Sequence, residues 1–307
     1  MKGIAFDVQL TSFAHGIAPD YSSSLADVMA PQCVCPAASG QYIKFDDDES
    51  FRLIDTRRAI GGDMKMIDFP TSSPSFNCVP HSLGIGTDSF EKERVGDAGL
   101  TMLRESKVRT LVSRNALSRE QRVFTVYANG TSAESGLGTW TNANKDPIDE
   151  LNTIVIKIAT QTGISRIELV IGLNALQQLS KHPKVLARFP GSGLINVNAD
   201  TLAKLLLIPV TIHVAMMPIA LEKTGKTASK TIIGGAKVYA LISQRNPSPF
   251  DPSAAKTFTT NLGQVQGVGT VEKPPFAEVN YIAWSEDIEL TGSQCVARID
   301  VATGDIA

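Results

Sequence analysis

The sequence predicts an α+β protein, and three observations carry that reading. Helix-rich and strand-rich stretches are intermixed along the 307 residues, with no internal repeat. A block from Gly136 to Phe189 stacks a Trp-bearing loop, a helix opened by Asp146-Pro147, a glycine stop, an apolar strand and a second helix halted at His182-Pro183. No nucleophile motif, metal cluster or phosphate loop accompanies this regularity, which points to a building block more than to a catalyst.

A chain of this length buries a sizeable core, as one large domain or two medium ones. Its 43% hydrophobic and 20% charged content is ordinary for a globular protein. The formal charge of −2 lacks the basic excess of a protein that grips nucleic acid by neutralising phosphates. Four cysteines, Cys33, Cys35, Cys78 and Cys295, do not make a disulfide framework. The opening MKGIAFDVQLTSFAHG lacks the features of a signal peptide. The longest apolar run, LLLIPVTIHVAMMPIA, is broken by Pro209, His213 and Pro218, so no membrane partner is expected. A reducing cytoplasm is the expected setting.

Residues 1–40 read as an extended arm, punctuated by Pro19, Pro31 and Pro36, with one helical turn around Leu25–Met29. Such a segment buries too little apolar surface to offset its own ordering entropy. Residues 41–80 read as a long β projection: Gln41–Phe45 and Lys65–Phe69 alternate at period two, and Gly61-Gly62 supplies the reversal between them. An isolated hairpin is marginal in water, so its apolar face needs cover from a neighbour.

A long helix is predicted from Phe90 to Tyr127, with Leu100, Leu103, Val108, Leu111 and Val112 at helical spacing and a stop at Asn129-Gly130. The capping-box pattern Ser118-Arg-Glu-Gln121 predicts a break near 116–118. Asp146 caps the next helix, whose stripe of Ile148, Leu151, Ile154, Val155 and Ile158 ends at Gly163. A strand over Ile167–Ile171 and helices over Leu173–Lys181, Lys184–Arg188 and Asp200–Leu207 follow. Strands are expected at Thr211–Met216, Lys237–Ser243, Ala277–Trp284 and Cys295–Val301, with an exposed polar loop at Glu222–Lys230 and a proline-rich connector at Asn246–Pro252.

Taken in order, these pieces resemble a tailed-bacteriophage major capsid protein of the Hong Kong 97-like fold. The carrying residues are Leu25–Pro31, Gly40-Gln-Tyr42, the helix from Phe90 to Tyr127, Trp140 with Asp146-Pro147-Ile148, Val170-Ile171-Gly172, Leu179–Pro183 and the C-terminal strands. The likeness spans nearly the whole chain and rests on order and spacing. It implies an N-terminal arm (1–40), an extended loop (41–86), a peripheral domain on a long spine helix (87–140 with 262–307) and an axial domain (141–261).

The resemblance further implies a structural, non-enzymatic subunit without cofactor. That subunit would form the pentamers and hexamers of an icosahedral head, assembled in the bacterial host cytoplasm, which encloses double-stranded DNA without reading its sequence. Contact candidates are Ile60, Gly61, Gly62, Met64, Met66, Ile67 and Phe69 on the loop, with Lys223 and Lys226 near the ring centre. Many relatives carry a helical scaffolding segment before the arm. Here the arm begins within the first twenty residues, so a separate scaffolding protein is expected beside a portal, with room for a decoration protein outside. Lys65 sits where some relatives crosslink a loop lysine to an asparagine, but no partner motif is present and that chemistry is not carried over.

Other chemistry reads weakly. Gly225-Lys226-Thr227 ends like a phosphate loop, but Ala220 stands where its first glycine belongs, and a solvated basic loop fits better. Cys33, Cys35, Cys78 and His81 could offer four zinc ligands, yet C-x-C is a poor spacing and buried free cysteine is a common small hydrophobe. His182 closes a helix, where it can favour the terminal carbonyls. His213 interrupts an apolar strand, as a satisfied core residue does. Asp46–Glu49 reads as a solvated acidic run and Trp140 and Trp284 as packing residues. Two rival readings stand beside the capsid: an encapsulin-type nanocompartment shell with the same fold, and a cytosolic α/β enzyme with a site near Gly172 and Gly225.

Overall fold

The computed structural model describes residues 6–17, 24–44, 55–58, 60–64, 66, 73–189, 197–220, 230–260 and 265–306. Asp7 opens the first helix, α1 (Val8–Gly16), by accepting from the backbone N–H groups of Gln9 and Leu10. A one-turn helix, α2 (Ala26–Met29), follows. Here the expectation of an unsupported arm is corrected. Leu10 and Ala14 bury against Val108, Leu111 and Val112, while Leu25, Ala26, Met29 and Ala30 join the main core. A stripe of only two buried residues on α1 is too short to register as helical periodicity in the sequence.

Strand β1 (Gln32–Val34) leads to β2 (Ser39–Gln41), which pairs with β3 (Ser75–Asn77) so that Gly40 faces Phe76. The strand expected over Gln41–Phe45 is thus displaced towards the N-terminus. Tyr42 leaves the ladder to pack beside Phe258, which itself stacks on Phe76 at 4.3 Å. Of the second expected strand, Lys65–Phe69, only Met66 is described, and it is not in a strand.

After β4 (Val79–Thr87) comes the long helix α3 (Ser89–Gly130), capped by the Asp88 side chain. Its straight part, 97–130, is about 50 Å long at 1.5 Å per residue. The break falls at Gly96 (φ 68, ψ 170), a conformation open to glycine, and not near 116–118. The capping-box residues there are used otherwise: Arg119 and Glu120 are buried and turn towards residues 25–30.

The Gly136–Phe189 block folds as its sequence predicts. Asp146 accepts from the N–H of Ile148 to cap α4 (Pro147–Thr162), which stops at left-handed Gly163 (φ 67). The fully buried β5 (Ile167–Gly172) runs into α5 (Leu173–Lys181), and His182 caps α6 (Pro183–Leu186). Helix α7 (Ala199–Ala203), opened by an Asn198–Thr201 capping box, is shorter than expected. Then come β6 (Val210–Ala215), β7 (Pro218–Ala220), β8 (Lys230–Ile232), β9 (Lys237–Leu241), β10 (Ala255–Thr259), β11 (Gly267–Lys273), β12 (Phe276–Leu290) and β13 (Val296–Asp300).

Two larger sheets take most of these strands, while β2 with β3 and β7 with β8 form two-stranded ribbons. In the four-stranded sheet, ordered β13-β9-β5-β6, only β5 and β6 run parallel. Helix α4 supplies Ile148, Leu151, Ile154, Val155 and Ile158 to the core it shares with this sheet, together with Trp140. In the five-stranded sheet β12 is the hub. Its residues 276–283 pair with β11, 278–286 with β4 and 286–290 with β10, whose other side takes β1 in parallel. Helix α1 shields β11: Asp7 donates its backbone N–H to the Val268 carbonyl at 2.8 Å, and the Thr11 hydroxyl accepts from the Val268 N–H at 3.0 Å.

Candidate assembly surfaces

The loop between β2 and β3 has a packed root and a bare tip. At the root Cys33, Cys35, Tyr42, Phe76, Cys78 and Phe258 form one apolar cluster, and the Cys78 thiol donates to the Phe258 carbonyl at 3.4 Å. Burial pushes the Cys33 thiol up to about 12 and that of Cys78 to about 11. His81 does not join them; it stacks on Trp284 at 5.4 Å, and desolvation lowers its pKa. Among the described residues no three His, Cys, Asp or Glu side chains are arranged to hold a metal ion. The three thiols behave as small hydrophobes that fasten the loop root to β10.

At the tip, Ile60 and Gly61 form a turn, and the positive φ of Gly61 (81°) supplies its reversal. Ile60 is 107% exposed, Met66 85% and Met64 74%, so none of the three is covered by a described residue. Burying such a side chain fully is worth about 1.5–3 kcal/mol, so a bare tip carries unused binding energy. Gly62 is half-buried beside the turn. The other contact candidates, Ile67, Phe69, Lys223 and Lys226, lie outside the described residues, as does the glycine-lysine motif at Gly225.

Two further surfaces escaped the sequence reading. The N-terminal third of α3 exposes Phe90 (78%) before the Gly96 break, with Val95 beside it, and Met102 (74%) after it. Ion pairs tether this bent segment: Glu278 of β12 takes Arg104 through both carboxylate oxygens at 2.7 and 2.8 Å and Lys92 at 2.7 Å, and Lys107 holds Glu91 at 2.6 Å. The hydrogen bonds from Arg104 drive the Glu278 carboxyl down to about 2. The second surface is a groove of about 500 Å³ between α3, at Phe124 and Ala128, and the β7–β8 ribbon, at Ile219, Ile232 and Ile233. Its wall includes Tyr239, whose buried hydroxyl has no hydrogen-bond partner among the described residues. Phe90 reads in sequence as a helix start, and the groove needs residues a hundred positions apart, so neither leaves a local signature.

The inner candidates for chemistry are structural. Glu150 Oε2 accepts from the Gly138 backbone N–H at 2.7 Å and from Trp140 Nε1 at 2.8 Å, locking the Trp loop onto α4. His182 is buried: its Nδ1 accepts from the Lys184 backbone N–H and its Nε2 faces the Asn142 carbonyl at 3.2 Å. It begins α6 in this way, and does not serve the closing carbonyls of α5. His213 pairs with Glu168 at 2.9 Å. A side chain on Gly172 would meet the Gly235 carbonyl oxygen at 2.1 Å, so the turn proposed as an enzyme site is filled by backbone. No helix among the described residues is long and apolar enough to cross a membrane.

No family model matches the sequence, and no curated protein matches it. Solved structures do resemble the fold. A phage-related protein from Bordetella bronchiseptica RB50 superposes with a TM-score of 0.78 at 22% identity, covering 100% of both chains. The capsid of cyanophage P-SCSP1u gives 0.52 at 10% identity, over 94% of this chain and 92% of that one. An encapsulin complex from Synechococcus elongatus gives 0.53 at 10% identity, over 97% and 96%. The chain therefore shares the α+β fold of these structures along nearly its full length.

Proposed function

We propose that this chain is a major capsid subunit that assembles into pentamers and hexamers of a closed icosahedral phage head around double-stranded DNA. One observation carries the reading: the whole chain superposes on a phage-related protein at a TM-score of 0.78, and its overlap with a cyanophage capsid is nearly as complete. The uncovered tip at Ile60, Met64 and Met66 supports it independently. Apolar side chains on an anchored loop are a liability in a monomer and a contact in a shell. Head-to-tail contacts of this kind close into rings, and many weak contacts per subunit make the closed assembly stable.

In this proposal the arm is residues 1–40, the extended loop 41–86, the peripheral domain 87–140 with 262–307, and the axial domain 141–261. The spine α3 and its five-stranded sheet support the peripheral assignment, and α4 with the four-stranded sheet supports the axial one. Strands β10 and β13 cross between the two, each pairing in the other's sheet, which ties the domains together. Scaffolding, portal and any decoration protein would be separate chains, and packaged DNA would be held without sequence recognition.

The overlap with an encapsulin at a TM-score of 0.53 favours a second reading, a cellular nanocompartment around a cargo enzyme. Electron microscopy of the overexpressed protein tests both. Closed shells of uniform size support a shell subunit, and the neighbouring genes then separate the readings: portal and terminase for a phage head, a cargo enzyme for a nanocompartment. Purified protein that stays monomeric at high concentration contradicts both.

A further inference from the structure

The four-stranded sheet ends in a polar cleft that none of the preceding surfaces uses. Its volume is about 330 Å³, and it is lined where β5 and β6 begin, where the chain leaves β9, and by α2. The strand registers explain the convergence. Glu168 lies opposite Thr211 on one side and Leu241 on the other, so Arg166 just before β5, and Ser243 and Arg245 just after β9, project around the same end.

Two carboxylates and two arginines line this cleft, and the carboxylates are the ones with hydrogen-bonding partners. Both carboxylates already have partners: Glu168 Oε2 lies 2.9 Å from His213 Nε2, and Asp27 Oδ1 takes Arg119 Nη1 at 2.7 Å. The hydrogen bond from His213, with a smaller contribution from Arg166, holds the Glu168 carboxyl below its ordinary range. Arg166 and Arg245 are exposed, and neither makes a hydrogen bond or ion pair with a described residue. Arg166 from the start of β5, and Ser243 and Arg245 from the end of β9, thus line one open cleft.

We propose that this cleft binds a phosphoryl anion, with Arg166 and Arg245 as its two cationic walls and Ser243 as an additional donor. A carboxylate is satisfied by one guanidinium fork, whereas a phosphoryl group offers three or more acceptor oxygens that spread over two. The volume admits a phosphoryl group with a sugar-sized substituent. The anion can come from free phosphate or a small phosphate ester, or from the phosphodiester backbone of nucleic acid. The site belongs to the folded subunit and does not depend on the shell reading.

The test is a titration of the full-length protein with inorganic phosphate, repeated with a short mixed-sequence DNA duplex as competitor and with sodium acetate at equal ionic strength. Arg166→Gln with Arg245→Gln is compared with Arg109→Gln with Arg114→Gln, a control pair of exposed arginines on α3. Saturable phosphate binding that weakens about tenfold or more in the cleft variant, and is kept in the control, supports the site. Displacement by the duplex then identifies the phosphodiester source, and no displacement identifies free phosphate or a small ester. Absence of saturable binding, equal loss in both variants, or equal competition by acetate overturns the proposal. Each result is read independently of whether the protein forms shells. Circular dichroism and the Tm, expected unchanged because both arginines lie on the surface, show that the variants remain folded.

Discussion

The carboxylate of Glu120, fully buried in the last third of α3, accepts a 2.7 Å hydrogen bond from the backbone N–H of Leu25, 95 residues earlier in the chain. Around it Arg119 reaches Asp27 and the Ala30 carbonyl, and the Tyr127 hydroxyl donates to the Met29 carbonyl at 2.7 Å. The spine thus holds the residue 25–30 segment by its backbone, which a sequence pattern of apolar residues does not encode.

That relationship has a pH signature. Desolvation raises the Glu120 pKa despite the donors from Leu25, Ser24 and Ala26. The folded state binds this proton more tightly than the unfolded chain does. The contribution is therefore fully present below the ordinary value of 4.5 and is lost as pH rises through the raised folded pKa. Denaturant titrations across that window are expected to show this slope in the wild type and to lose it in Glu120→Gln. Glu120→Ala, which leaves the buried N–H donors without an acceptor, is expected to cost about 1–3 kcal/mol.

Glu278 predicts the opposite slope. Its pKa is lowered to about 2, first by hydrogen bonds from Arg104, so its stabilisation is present above the ordinary 4.5 and disappears as pH falls towards 2. Glu278→Gln is expected to cost about 2–3 kcal/mol at neutral pH, at the low end for a buried pair because Arg104 is partly in water. Equilibrium unfolding at neutral and acid pH checks this: the deficit should be large at neutral pH and vanish near pH 2.

The Trp140 loop gives a third test. Trp140→Phe keeps most of the buried volume but removes the Nε1 donor to Glu150, leaving that carboxylate one bond short. A loss of about 1–3 kcal/mol is expected by denaturant titration. Trp140→Ala is expected to cost about 3–5 kcal/mol through the cavity it opens.

Much of the half built on α4 and the four-stranded sheet was legible because its signals are local. Asp146 before Pro147, the stripe from Ile148 to Ile158 and the stop at Gly163 specify α4 without tertiary help. The five-stranded sheet was less legible. Glycines at 84, 86, 267 and 269 interrupt the alternation that would mark β4 and β11, and pairing with β12 overrides their weak propensity. The arm was misread because its cover comes from distant parts of the same chain: β11 and α3 for α1, and Glu120 with Tyr127 for the segment after it. At the assembly surfaces, Gly61-Gly62 and its flanking apolar residues announced a turn with an uncovered face. The groove at Tyr239 left no sequence trace because its walls meet only after folding.

The thiols supply a fourth prediction. Cys33, Cys35, Cys78 and Cys295 are all buried, and burial raises the first three away from the reactive thiolate. Alkylation of native protein by iodoacetamide is expected to be slow and to become rapid only after denaturation. Because the cluster is an apolar anchor, EDTA is expected to leave the Tm unchanged. A chelator-dependent fall would restore the zinc reading.

The described arm residues 6–17 and 24–35 pack against their own chain, and in the proposed shell the tip at Ile60, Met64 and Met66 finds its cover on another copy. Gly61→Val with Gly62→Val strains the turn at a point where no described atom lies within 4 Å of an added Cβ at Gly61, so it is expected to impair assembly more than folding.

The most direct measurement is sedimentation velocity of wild type beside a triple variant, Ile60→Asp with Met64→Asp and Met66→Asp, with the Tm of each. The account predicts large closed particles for the wild type and folded, soluble, unassembled subunits of similar Tm for the variant. Particles of equal size and yield from both, or a variant that unfolds, would contradict it.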